Sequence, residues 1–187
     1  MKKYLDHFRQ LTHVPEELEK NLRAKSTQVS IDKGEYLHKA GFTCKSTYWI
    51  KKGLLRSFYL KDGKEITDVF ASEGEWITSV QSFMKSQPDQ YYLQAIESSK
   101  VYALSYNDLM YLFENFPEME RFGRISMSMS YIQLSEKLES YQFTSAKDKY
   151  VHFCKIYNSI LHRLPLGMVA SYIGVTQETL SRIRKAF

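Results

Sequence analysis

Cysteine is nearly absent. Cys44 and Cys154 are the only two among 187 residues, and neither has a Cys or His partner at ligand spacing. A structural zinc site or a cysteine-ligated iron–sulfur cluster is therefore not expected, and the pair reads as two buried or half-buried thiols. No run of about 18 apolar residues occurs, so no membrane span is expected. The start, Met1-Lys2-Lys3-Tyr4-Leu5-Asp6, lacks the apolar core of a secretory signal, and a cytoplasmic location follows as the expectation. The five histidines, at 7, 13, 38, 152 and 162, contain no H-x-H pair of the kind a metal-dependent cupin uses. G-x-S-x-G, a phosphate-binding loop and a Cys–His dyad spacing are also missing. The chain is expected to be no enzyme, with no cofactor and no metal.

What is there begins with the placement of charge. Net charge is +5. Residues 145–187 hold seven basic residues (Lys147, Lys149, Lys155, Arg163, Arg182, Arg184 and Lys185) against Asp148 and Glu178, so the first 144 residues sum to zero. An anionic partner would dock at the C-terminal quarter.

Residues 4–25 carry Leu5, Phe8, Leu11, Leu18 and Leu22 at helical spacing, with Pro15 placed to start a second short helix. From about Thr27 to Ser105 the pattern is short apolar or alternating runs, "QVSI", "EYLHK", "STYWI", "LLRSFYL", "EITDVF", "YYLQAI" and "KVYALS". Most are cut by turn residues, and Asp62-Gly63 is a hairpin signal. About eight such strands predict an antiparallel barrel or jelly roll. Residues 107–142 return to helix, with Asn107 or Asp108 as cap and Pro117 opening the second segment. That segment shows two apolar stripes, Phe122, Ile125, Met129, Ile132 and Met127, Tyr131, Leu134, Leu138, Tyr141. One stripe suits the barrel and the other the same helix of a second chain, as a short coiled coil; burial of both within one chain is the alternative. Helices are then expected over 146–161, over 166–172, and from Thr176. A unit of this size is too small for a generous core and must lean on its neighbours.

"LGMVASYIGVTQETLSRI" has the spacing of a helix-turn-helix. Ala170 is small where two helices cross, Gly174 sits at the turn, and Ile173, Val175, Leu180 and Ile183 can bury. Thr176 is a good N-cap, although Thr179 stands where a capping box needs Glu or Gln. Gln177, Glu178, Ser181, Arg182 and Lys185 face outward, with polar groups near the helix start and basic groups beyond them.

These residues resemble the DNA-binding end of the CRP/FNR family of bacterial transcription regulators. Glu178, Ser181 and Arg182 match that family's E-x-x-S-R pattern. "DKGEYL", "YWIKKGLLRSFYLKDGKE" and "EGEWI" are similar to the glycine-punctuated strands of its cyclic-nucleotide-binding-like barrel. The resemblance implies an α+β chain in three parts. Residues 1–117 would form an effector-type antiparallel β-barrel or jelly roll with flanking helices, 118–143 a dimerisation helix, and 144–187 a winged-helix-type helix-turn-helix. It implies a homodimer on palindromic double-stranded DNA, read through Thr176, Gln177, Glu178, Thr179, Ser181, Arg182 and Lys185. By analogy it adds RNA polymerase as a partner, and it adds no membrane. Family members often carry a wing or tail after the recognition helix; with Phe187 two residues past Lys185, the expectation is that its phosphate contacts are missing here or that the wing lies before the helix pair.

Nucleotide-binding members of the family carry a phosphate cassette after the "GEWI"-like strand, in which a glutamate takes the ribose and an arginine takes the phosphate. The equivalent stretch here is "TSVQSFMKSQPDQYYLQA", with Ser79 at the glutamate position, Asp89 at the arginine position and Gln90 next. No arginine lies between Arg56 and Arg121, and Lys85 cannot reproduce the arginine fork. Cyclic AMP binding in the usual mode is therefore not expected. A small-molecule effector of another kind would meet Trp76, Ser79, Phe83, Asp89, Gln90 and Tyr92. The aromatics Trp49, Phe58, Tyr59, Phe70, Trp76, Tyr91 and Tyr92 are expected to fill the barrel rather than line a pocket. The rival function is a ligand-sensing or protein-interaction module that shares the barrel without reading DNA.

Overall fold

The computed structural model describes residues 1–143 and 145–185, with the backbone alone over 140–143. Two four-stranded antiparallel sheets pack face to face. One has the order β1-β8-β3-β6, formed by Ser26–Ile31, Ser99–Ser105, Ser46–Lys52 and Trp76–Ile77. The other has the order β2-β7-β4-β5, formed by Tyr36–His38, Tyr91–Ala95, Leu55–Lys61 and Lys64–Ala71. Asp62 and Gly63, both at positive φ, close the β4–β5 hairpin in the left-handed turn conformation that matches the right-handed twist of its strands. Gly53, between β3 and β4, is required by space, because a Cβ there would lie 2.0 Å from Ser99 Oγ.

Helices flank the sheets. α1 (Lys2–Arg9) and α2 (Glu16–Lys25) precede the strands, α3 (Val80–Lys85) interrupts them, and α4 (Tyr106–Asn115) and α5 (Pro117–Phe143) follow. α1, α2 and α4 pack against strands of the first sheet. Ser105 caps α4, accepting the Asp108 N–H at 3.1 Å, so the cap falls two residues before the expected Asn107. The helical cover explains why β3 is buried along most of its length, whereas the outer side of β4 is buried by its own sheet, with Tyr92 stacked on Phe58 and Arg56 bonded to Gln94 and Glu65.

The cover also redirects the aromatics. Cys44, Tyr48, Ile50, Leu55, Phe83, Leu93 and Val101 fill the space between the sheets. Trp49, Trp76 and Tyr102 point outward and meet Tyr4, Phe8 and Phe122, with Phe8–Phe122 centroids 4.4 Å apart. Phe58 and Tyr92 stack at 4.8 Å on the outer face of the second sheet. Most of the aromatics expected inside the barrel therefore coat it, because strand alternation gives the inner positions to their neighbours.

The first stripe of α5 is buried only at its start, where Phe122 joins the α1 cluster; Met129 and Ile132 are exposed. In the second stripe Met127, Tyr131, Leu134 and Leu138 are exposed, Tyr131 by 71%. The Tyr141 side chain lies outside the described residues. Among the described residues no helix is long and apolar enough to cross a membrane.

The C-terminal part holds α6 (Ala146–Ile156), a 3-10 turn (Leu161–Arg163), α7 (Leu166–Ile173) and α8 (Gln177–Lys185). α6 stops before the expected Leu161; its C-cap Tyr157 leaves helical geometry, and Asn158-Ser159, which favour turns, follow it. Its core is shared. Phe153, Tyr157, Leu164, Val169, Tyr172, Ile173 and Leu180 form one cluster with Leu54, Phe70 and Ile96 of the sandwich. The unit leans on the barrel, as its size requires. No strand forms within the described residues 145–185, so the wing implied by the resemblance is not built from them.

His7 provides a test of the outer aromatic cover. Its Nε2 accepts the Trp76 indole N–H at 3.0 Å, which needs that nitrogen unprotonated. Burial holds its pKa below the usual value. A lowered histidine contributes stability above the unfolded value of about 6.5 that is lost as pH falls below it. Melting temperature should therefore fall more steeply from pH 7.5 to 5.5 in the native protein than in His7→Gln. Parallel profiles would exclude this role.

Candidate functional site

The helix pair α7–α8 turns at Gly174, whose φ of +80° is left-handed. Its N–H bonds Ala170 O at 3.0 Å, and the Val175 N–H bonds the same carbonyl at 3.0 Å, closing α7. Thr176 Oγ1 accepts the Thr179 N–H at 3.1 Å and lies 2.9 Å from the Thr179 hydroxyl. The second threonine thus stands in the place of a capping-box acid with a hydroxyl pair.

Leu180 is fully buried and Ile183 packs on the same core, which anchors one face of α8. Thr176, Gln177, Glu178, Arg182, Arg184 and Lys185 are exposed, while Thr179 and Ser181 are half-buried. Glu178, Arg182 and Lys185 follow one another at helical spacing along one exposed face. Glu178 in the first turn and three basic residues in the last complement the helix dipole. Arg184 is an exposed cation that the outward-facing set read from the sequence omits.

Arg163 behaves differently from the other basic residues of this segment. Its guanidinium bonds Glu73 at 2.9 and 3.2 Å and Glu97 at 2.7 and 3.1 Å. Burial works to raise Glu73, but Arg163 and the Gly53 N–H outweigh it and hold the carboxyl at about 2. Arg163 itself is pushed up by both carboxylates. It belongs to an internal clamp, and the sequence carries no signal for that pairing.

In the barrel, Ser79 and Asp89 are brought together, with the Ser79 hydroxyl donating to Asp89 Oδ2. Asp89 Oδ1 also accepts the Tyr91 N–H at 3.1 Å and lies 3.0 Å from His38 Nε2. The His38 and Asp89 side chains are only 3% and 8% exposed. This buried carboxylate is satisfied by its own chain. The remaining expected effector residues do not converge on it. Trp76 faces α1, Phe83 packs inside the barrel, Gln90 is exposed, and Tyr92 stacks outside on Phe58. His38 was the participant not legible in sequence, since its partner is 51 residues away. The described residues bring no three His, Cys, Asp or Glu side chains to one point that could hold a metal ion.

Residues 28–116 match the cyclic nucleotide-binding domain family. No curated protein matches the chain by sequence. Among solved structures, the c-di-GMP responsive global regulator CLP of Xanthomonas campestris shares the fold at 16% identity and a TM-score of 0.73, over 90% of this chain and 89% of that one. FixK2 from Bradyrhizobium japonicum does so at 16% identity and 0.75, over 86% and 83%. A protein from Eubacterium rectale assigned to the crp/fnr family of transcriptional regulators does so at 17% and 0.73, over 92% and 83%. The barrel is thus a cyclic nucleotide-binding-type domain, and the chain has the fold of these regulators.

The turn is testable by itself. Nothing lies within 4 Å of a Cβ added at Gly174, so substitution there meets backbone strain alone. Gly174→Ala should cost about 1–2 kcal/mol in urea unfolding, and Gly174→Asn less, because Asn tolerates the left-handed region. Equal costs would point to a different conformation at this turn.

Proposed function

We propose that this protein is a sequence-specific DNA-binding transcription regulator that works as a homodimer on two-fold symmetric operators. The observation that carries the reading is α8, whose Leu180 side is anchored in a core while Gln177, Glu178, Arg182 and Lys185 stand exposed. In this reading α7 and α8 form a helix-turn-helix. Gln177 and Glu178, at the start of the helix, meet base edges in the major groove. Arg182 takes a guanine edge, and Thr176, Thr179, Ser181 and Lys185 contact phosphates or flanking bases. The concentration of positive charge in residues 145–187 supports a polyanionic partner.

The exposed 4-3-4 series Met127, Tyr131, Leu134, Leu138 on α5 supports a second copy of the chain as its cover. Pairing along this seam places two α8 helices on opposite half-sites. The buried Asp89 supports a barrel that does not take cyclic AMP in the usual mode, because a carboxylate repels the phosphate and Ser79 offers no carboxylate to the ribose. A different small molecule remains compatible with Trp76, Phe83, Gln90 and Tyr92 only through separate contacts. RNA polymerase is the downstream partner by analogy with the regulators that share the fold, and the setting is the cytoplasm. No chemistry is assigned to the chain.

Selection from a random duplex DNA pool by purified protein should enrich a symmetric motif, unchanged by added cyclic AMP. No enrichment would remove the proposal. Arg182→Ala should lose about tenfold or more in discrimination at one base pair of each half-site. Lys185→Ala should weaken all sequences alike and lower the salt slope by about 1. An unchanged preference in Arg182→Ala would take that residue out of the reading set. Leu134→Glu should convert the dimer to monomer in analytical ultracentrifugation with the barrel still folded. A dimer that persists would place the interface elsewhere.

A further inference from the structure

The helix pair is seated on the edge of its own barrel by three kinds of contact. The first is apolar. Phe70 enters a box of Phe153, Tyr157 and Tyr172, with ring centroids 6.1, 5.5 and 5.9 Å away. The second is the strand edge. Among the described residues β5 pairs only with β4, so one side of it carries backbone groups without a strand partner. Ser171 Oγ of α7 accepts the Thr67 N–H at 2.7 Å and donates to Thr67 Oγ1 at 3.1 Å. The Tyr157 hydroxyl accepts the Phe70 N–H at 3.4 Å, and Lys137 of α5 reaches Asp68 at 2.9 Å while lying 4.6 Å from the Tyr172 ring centroid. The third is the Arg163 clamp on Glu73 and Glu97, with Glu73 also tied to the Gly53 N–H at 2.7 Å.

An apolar contact alone would let the helices slide. The hydroxyl in register with one N–H and the forked guanidinium between two carboxylates define a single seat. In that seat the exposed face of α8 stays clear of the barrel. The seated form therefore leaves the reading face available to DNA.

We infer that Thr67, Phe70, Glu73 and Glu97 of the barrel are positioning residues for DNA reading: they hold α8 in one orientation relative to α5, although none of them is placed to touch DNA. The inference rests on the DNA-reading proposal. Two half-sites are engaged at once only if both α8 helices are held at a defined separation. A loosened seat loses that advantage and leaves the backbone attraction intact.

The sign of one experiment separates positioning from charge. In the full-length protein, Glu73→Gln with Glu97→Gln removes two negative charges. Charge alone would then tighten binding to any DNA. Positioning requires the opposite for the selected operator: a loss of roughly fivefold, with binding to random duplex unchanged or tighter. In an Arg163→Met background the same two substitutions should cause no further loss, since the clamp is already broken. Hydrogen exchange supplies a readout without DNA, in which the Thr67 amide and the α7 amides should accelerate together in the double variant. Operator affinity equal to or tighter than native overturns the inference, as does an unchanged Thr67 exchange rate. If the native protein selects no DNA sequence, the function proposal fails and the positioning role falls with it. The exchange result then reports only that the seat exists.

Discussion

The placement of Phe70 is the constraint from which most of the architecture follows. Three short helices and a 3-10 turn cannot enclose a core of their own, because so small a unit leaves too much of its apolar surface in contact with water. Phe153, Tyr157 and Tyr172 pack on one another, and Phe70 of the barrel joins their cluster, with Leu54 and Ile96 beside it. Once that ring is in place, β5 can no longer be a free edge. Its exposed N–H groups need partners, and Ser171 and Tyr157 provide them. The basic character of the segment is altered by the same docking, since Arg163 turns inward to Glu73 and Glu97 while Arg182, Arg184 and Lys185 of α8 stay exposed.

The barrel follows a related logic of satisfaction from within. Its inner space is filled by aliphatic side chains with Tyr48 and Phe83, and its polar end is closed by Ser79, His38 and the Tyr91 amide around Asp89. A buried carboxylate with three partners from its own chain is satisfied, whereas a lone one would be costly. The domain keeps the outline of a cyclic nucleotide-binding fold, with Asp89 held by its own chain. The aromatic residues that are abundant in this chain serve instead as an outer coat, joining the sheets to α1, α5 and α7.

α5 links the two halves and is the least self-sufficient element. Its start is buried by Met119 and Phe122, but further along its apolar side chains face solvent. Lys137 ties the same helix to Asp68 of β5 and lies by Tyr172 of α7, so a change at the exposed seam has a direct route to the seat of the helix pair. A second copy on the seam and a fixed α8 are thus parts of one mechanical arrangement in the function proposed for this protein.

Local chemistry was readable from the chain itself. Asp62-Gly63 specified its hairpin, Gly174 its left-handed turn and Thr176 its cap, because each effect acts over a few bonds. Strand runs and the long helix were readable from periodicity for the same reason. The outward residues of α8 followed from the burial of Leu180 and Ile183 three residues apart. What only the tertiary structure decided were the partners: Phe70 with Tyr172, Arg163 with Glu73 and Glu97, His38 with Asp89, Trp76 with His7. Each joins residues 51 to 102 positions apart on elements that meet only after the sheets close. Periodicity tells that a side chain is buried, but which neighbour it meets is set by the packing of whole layers, and that is why the aromatics read as filling turned out to be cover.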